Sequence, residues 1–170
     1  MSCEKIALSD IRLSSFTAFD RGWAVLAAGK PGDANAMTVS WGGLGTLWSK
    51  PVATVYVRPQ RFTFGLMERE PFYTLSLFEG EQHKALGYLG SASGKNEDKL
   101  AHCGLTVRYD NAAGAPMFPD AALVLVCRKL YSDDIDPARV ADPAVLTDCY
   151  PEHDYHRLYI GEVVEAYARR

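Results

Sequence analysis

The chain of 170 residues carries 18 Lys and Arg against 21 Asp and Glu, a formal net charge of −3. With 48% hydrophobic and 23% charged residues it has the make-up of one globular domain spanning residues 1–170, and a disordered chain is excluded. The slight acidity argues against a nucleic-acid surface spread over the whole molecule, so any anion site has to be local.

Met1–Asp10 contains Glu4, Lys5 and Asp10 and no apolar run, so no secretory signal is expected. No stretch of about 18 apolar residues predicts a membrane-spanning helix. Trp23–Ala28 reads as the first strand, ended by the turn signal Gly29-Lys30-Pro31-Gly32. Met37–Trp41 and Val52–Val57 follow as strands, with Gly42, Gly43 and Gly45 punctuating the region and arguing against a helix there. Arg61–Glu70 reads as a helix that stops before Pro71, and Phe72–Phe78 as a strand. Glu81–Leu89, ended by Gly90, and Glu97–Cys103, with Asn96 as N-cap and Gly104 beyond, are two further short helices. Leu105–Tyr109, Leu123–Tyr131 and Leu158–Val164 complete the predicted strands, and Asp136–Leu146, with Pro137 and Pro143, holds one or two helical turns. Seven strands without regular βαβ alternation predict a mainly β fold, an antiparallel barrel with a few short peripheral helices. Cys3, Cys103, Cys127 and Cys149 are scattered, as expected for free thiols of a cytoplasmic protein, Cys127 serving as a core hydrophobe.

Charge distribution is the most informative feature. The 34 residues from Ala34 to Met67 contain no Asp or Glu, whereas Lys50, Arg58 and Arg61 are positive. About four acids would fall there by proportion. Trp41, Trp48, Tyr56, Phe62 and Phe64 lie in the same window, with hydroxyls at Thr38, Ser40, Thr46, Ser49, Thr54 and Thr63. Such a segment suits a ligand with an anionic end and a flat ring system, because guanidinium forks and hydroxyls cage phosphate oxygens. The same composition also suits an ordinary buried hairpin.

Ser91-Ala-Ser-Gly-Lys-Asn-Glu-Asp-Lys99 is a second anion candidate, a small-residue loop leading into a helix start, although helix capping explains it equally. It is not a P-loop, since Leu89 stands where the first glycine belongs and Asn96 follows Lys95. Gly43-Leu-Gly45 is no dinucleotide fingerprint, because Trp48 takes the place of its third glycine. His153 and His156, three apart, lack a surrounding zinc motif, and no metal site is expected.

Several segments together resemble the flavin reductase-like family of FMN-binding split barrels, specifically its flavoredoxin-like branch. They are Asn35-Ala-Met-Thr-Val-Ser-Trp-Gly42, Gly45-Thr-Leu-Trp-Ser-Lys-Pro51 and Val55-Tyr-Val-Arg-Pro-Gln-Arg-Phe-Thr63, followed by Phe72-Tyr-Thr-Leu-Ser76, Ser93-Gly-Lys-Asn-Glu-Asp-Lys99, Gly104-Leu-Thr106 and His156-Arg-Leu-Tyr-Ile-Gly-Glu162. One departure is Lys95-Asn96, where the family usually shows Arg-Asp. The resemblance implies a Greek-key split β-barrel, a homodimer, and FMN near the subunit interface. It makes Arg58, Arg61, Thr63, Ser91, Ser93 and Lys99 phosphate or ribityl contacts, with Pro59 between the arginines. Met37, Thr38, Val39, Ser40 and Trp41 would lie along the isoalloxazine, with backbone N–H groups toward its N1–C2=O edge. Phe62 and Trp41 pack beside the ring or in the core; for Trp48 the core is expected.

The implied reaction passes hydride from NADH or NADPH to the flavin, with His156 on the nicotinamide side or else a structural histidine. A flavoredoxin-type carrier with tightly bound FMN and no reductase turnover is the alternative. A nucleic-acid-binding barrel, from a different class, is disfavoured by the net acidity.

Overall fold

The computed structural model describes residues 3–79 and 82–169. Eight strands, every pair antiparallel, form one sheet that curls into a split barrel: β1 (Cys3–Ile6), β2 (Ala24–Lys30), β3 (Asp33–Val39), β4 (Gly42–Leu47), β5 (Lys50–Val57), β6 (Phe72–Leu77), β7 (Leu123–Asp134) and β8 (Arg157–Arg169). Their order is β3-β2-β6-β7-β8-β5-β4, with β1 paired to the C-terminal half of β8. Hairpins join β2 to β3 and β4 to β5. After β5 the chain crosses in Greek-key fashion, so that β6 returns beside β2 on the other side of the sheet. Short helices lie outside: α1 (Ser15–Asp20), α2 (Phe62–Arg69), α3 (His83–Ser91), α4 (Lys99–His102) and α5 (Pro143–Cys149). Among the described residues no helix is long and apolar enough to cross a membrane.

The strand period of two explains how the sheet buries both faces. Ala24, Leu26 and Ala28 of β2 point into the barrel with Met37, Leu75 and Leu125. Val25 and Ala27 point outward beneath Leu86 and Leu89 of α3. Inside, Tyr73 reaches across from β6 and its hydroxyl donates to the Ala53 carbonyl of β5 at 3.2 Å. Its ring passes over Gly161 of β8, where a Cβ would lie 2.5 Å from the phenol oxygen. Glycine at 161 therefore sets how closely the walls approach.

Salt bridges outside the barrel orient α2. Glu68 near its end accepts from the Tyr159 hydroxyl at 2.6 Å and from Arg157 at 2.8 Å. Arg157 also grips Asp134 through two bonds, of 2.7 and 2.9 Å, tying α2 to the rim where β7 and β8 meet. The C-terminal end of α2 is thus fixed, and its N-terminus is aimed.

Some elements depart from the sequence expectations. The glycines at 42, 43 and 45 lie within a strand, β4, because the ladder to β5 outweighs their low β-propensity. A Cβ at Gly42 would sit 2.4 Å from the Phe19 ring, so the residue lets α1 pack closely. Leu105–Tyr109 is no strand; it makes one bridge, Arg108 to Met117, while Leu105 and Val107 pack on the outer core. α4 starts at Lys99, and its cap is Asp98 rather than Asn96, whose N–H instead bonds the Ser93 carbonyl. Glu81, the expected start of α3, lies outside the described residues. β1 and α1 carried no sequence signal. Trp48 is not in the core: it is 62% exposed at the tip of the β4–β5 hairpin, where it and Ser49 both adopt positive φ. A two-residue hairpin imposes that conformation and turns the side chain outward.

Gly161→Ala drives a methyl group into Tyr73 and is expected to cost about 1–3 kcal/mol of unfolding free energy. Urea denaturation of this variant, and of Gly161→Ala with Tyr73→Phe, checks the cause, since trimming the hydroxyl should restore part of the loss.

Candidate functional site

The barrel is split where β3 faces β5. β3 pairs only with β2, so alternate residues along it direct N–H and C=O groups away from the sheet. A cavity of about 220 Å³ opens at this gap, lined by residues 37–41, Tyr56, Arg58, Arg61 and His156. All five residues of the predicted ring-binding segment lie on it. Thr38 turns its hydroxyl to the Leu86 carbonyl of α3. Trp41 is 44% exposed and leans on His156 with ring centroids 5.0 Å apart.

A second cavity of about 200 Å³ adjoins the first at Arg61. The start of α2 (Arg61, Phe62, Thr63), the Ser91–Gly94 loop, Lys99, Asn35 and Gln60 line it, and no carboxylate does. Arg61 has its Nη2 buried without a partner among the described residues, and burial lowers its pKa. Lys99 is 2% exposed. Its ammonium donates to the Leu89 and Ala92 carbonyls at 2.7 and 3.1 Å, at the C-terminus of α3 where the helix dipole favours a cation. Burial first, then the charge of Arg61, pull the Lys99 pKa down to about 8. Asp98 fixes this lysine at the head of α4 by accepting from the N–H groups of Leu100 and Ala101.

The first turn of α2 has no acidic residue and no side-chain cap, so its leading N–H groups remain available beside Arg61. Asn35 donates to the Thr63 hydroxyl at 2.8 Å and braces that turn. At Gly94 a Cβ would come within 2.6 Å of both Asn35 and Phe62, so only glycine lets the loop close here. A buried ammonium, a partly buried guanidinium, an open helix N-terminus and no lining carboxylate suit this cavity to an anion. A phosphate monoester fits it: the orphaned guanidinium N–H gains an acceptor and the buried ammonium a counter-charge.

The structure divides the predicted residues between the cavities. Ser91, Ser93, Thr63, Phe62 and Lys99 gather around Arg61, with the Ser91 hydroxyl donating to the Gly87 carbonyl and the Ser93 hydroxyl accepting from the Lys95 N–H. Arg58, expected beside Arg61 on the phosphate, is absent from the second cavity. It pairs with Asp154, donates to the Cys149 carbonyl at 2.8 Å and lies over the Tyr150 ring, because β5 has ended and the chain turns between the two arginines. Pro59 borders a separate groove beside Phe64 and Tyr155. His153 and His156 form no pair: the first bonds the Tyr155 hydroxyl, the second that of Tyr150.

Asn35, Tyr56, Gln60 and Gly94 join the site although they were not singled out as contacts. All four lie inside segments that carried the family resemblance; Asn35, Tyr56 and Gln60 also fall in the acid-free window, and Gly94 in the Ser91–Lys99 loop. The roles of Tyr150 and Asp154 had no such signal.

The model of the flavin reductase like domain matches residues 16–170. No curated protein sequence matches the chain. Among solved structures, the FMN-binding domain of a flavin reductases-like enzyme from Shewanella baltica superposes with a TM-score of 0.70 at 18% identity, over 98% of this chain and 76% of that one. Flavoredoxin from Methanosarcina acetivorans gives 0.67 at 20% identity, over 98% and 76%. The NADH:FAD oxidoreductase of Streptomyces globisporus gives 0.65 at 18% identity, over 87% and 75%. At these identities the structural likeness establishes the split-barrel fold, while the family model covers nearly the whole sequence. The chain belongs to the flavin reductase-like family.

Proposed function

We propose that the protein binds FMN across the two cavities and acts as a flavin reductase, taking hydride from a reduced pyridine nucleotide. The observation that carries this reading is the buried Nη2 of Arg61, partnerless among the described residues, beside buried Lys99, in a cavity without carboxylates that adjoins an open strand edge. Arg61, Lys99 and the first amides of α2 hold the phosphate. Residues 37–41 present backbone donors to the electron-rich edge of the ring system, which favours its reduced form. The flavin supplies hydride acceptance, so the side chains bind and orient rather than exchange protons. His156 stands on the side where the nicotinamide enters. The Streptomyces neighbour, an NADH:FAD oxidoreductase, supports this activity.

The working unit in this reading is a homodimer, supported by the exposed Phe16 and Trp48 side chains. Anaerobic addition of NADH or NADPH to the FMN-loaded protein should bleach its visible absorption, and added free flavin should sustain turnover. Bleaching without turnover would favour an electron carrier of the flavoredoxin kind, the nature of the Methanosarcina neighbour. Absence of FMN uptake would overturn the proposal.

Two predictions separate the phosphate site from the ring site. Arg61→Ala should weaken FMN by on the order of 2 kcal/mol, the worth of a charge-assisted contact, and riboflavin far less. Arg58→Ala should affect both ligands alike; titration calorimetry with the two flavins measures the contrast.

Lys99 gives the second. Its folded pKa of about 8 lies below the unfolded value, so the unfolded chain binds more protons above pH 8. Apoprotein stability should therefore gain from this group as pH rises through 8 toward the unfolded pKa. FMN affinity, which uses the ammonium, should fall over the same range. Thermal melts and FMN titrations across it should show both trends, and Lys99→Met should lose them.

A further inference from the structure

His156 closes one side of the ring cavity; of the groups that orient it, Arg58 also borders that cavity and Tyr150 does not. Its Nδ1 is 2.9 Å from the Tyr150 hydroxyl, and the two rings meet edge to face with centroids 5.5 Å apart. Tyr150 is 3% exposed, and among the described residues its hydroxyl reaches no other side chain. Among the described residues Nδ1 is the one acceptor within reach of this buried phenol proton, so that proton goes to Nδ1. The imidazole proton is then on Nε2, at the opposite side of the ring, which has no hydrogen-bond partner among the described residues and belongs to a side chain lining the cavity.

Arg58 holds this arrangement at three points. Its guanidinium lies 5.3 Å over the Tyr150 ring, donates to the carbonyl of Cys149 just before it, and pairs with Asp154 two residues before His156. The Ile135 N–H fixes the His156 carbonyl at 2.9 Å. Arg58 and Asp154 are the charged groups acting on the imidazole. Burial foremost, then Arg58, lower its pKa to about 4 against a weaker opposite pull from Asp154. The ring is neutral at physiological pH.

We propose that Tyr150 and Arg58 are positioning residues that hold His156 as a neutral, Nε2-protonated donor at the ring cavity, where it receives the carboxamide oxygen of the pyridine nucleotide. The substrate half of this inference rests on the function proposed above. A neutral N–H suits a neutral carbonyl, and a reduced nicotinamide carries one next to the carbon that gives hydride. An imidazolium would draw anions to the same place, and the guanidinium opposes that state.

The test begins with long-range ¹H–¹⁵N correlation of the imidazoles in the apoprotein, which should show a neutral, Nε2-protonated His156 from pH 5.5 to 8, a range chosen about the usual imidazole pKa. A ring protonated on Nδ1, or charged at pH 6, overturns the positioning role whatever the protein catalyses. Tyr150→Phe should yield mixed tautomers and raise KM for the nucleotide several-fold, with kcat and FMN affinity held. Arg58→Lys, which keeps the charge but loses the fork, should shift both readouts the same way but less. Mixed tautomers in Tyr150→Phe with KM unchanged overturn the substrate contact. If the wild-type holoprotein oxidises no NADH or NADPH, the proposed activity fails, and the tautomer measurement still decides the positioning role.

Discussion

A buried ammonium and a partly buried guanidinium facing one cavity without a carboxylate are an unfavourable arrangement for an empty protein. Lys99 answers part of the cost through two carbonyls at the end of α3, and Arg61 leaves one buried N–H unanswered. A chain keeps such a pair folded only if the rest of the structure over-determines it. Here α2 is fixed at its far end by Glu68, Arg157 and Tyr159, and Asp98 sets the start of α4. The cavity is therefore preorganised, and in the proposed function a phosphate entering it would supply charge compensation that the protein withholds.

The split in the barrel is the second half of the same design. An unpaired strand edge is ordinarily a liability for aggregation. At β3 the exposed backbone groups line a cavity, with Trp41 and His156 at its side. Tyr73 lying over Gly161 holds the barrel interior while the gap stays open. The two cavities share Arg61, so a ligand with a flat ring and a phosphate tail can occupy both at once.

Arg58 and Arg61 show how little sequence proximity says about task. Three residues apart, they serve different ends of the site: one is tied to Asp154 and the chain before His156, the other faces the anion cavity. The difference arises because the strand ends at Val57 and α2 begins at Phe62, so the intervening turn aims the two side chains apart.

The sequence by itself determined the class of fold and the stretch of chain that builds the site. The continuous apolar run of β2, and in β5 the alternation of Val55 and Val57 with Thr54 and Tyr56, can be read locally because a strand shows its faces every second residue. The absence of acids from Ala34 to Met67 is likewise a property of the linear chain, and it foreshadows a cavity free of carboxylates. Only the tertiary structure decided which cations stay unpaired. Asp154 and Arg58 are 96 positions apart, and their pairing follows from the β5–β8 register. The strand character of Gly42–Leu47, the exposure of Trp48 and the Tyr150–His156 contact were hidden for the same reason. Each depends on which surfaces the closed sheet brings together, and side-chain energetics at long range leave no periodic trace in the chain.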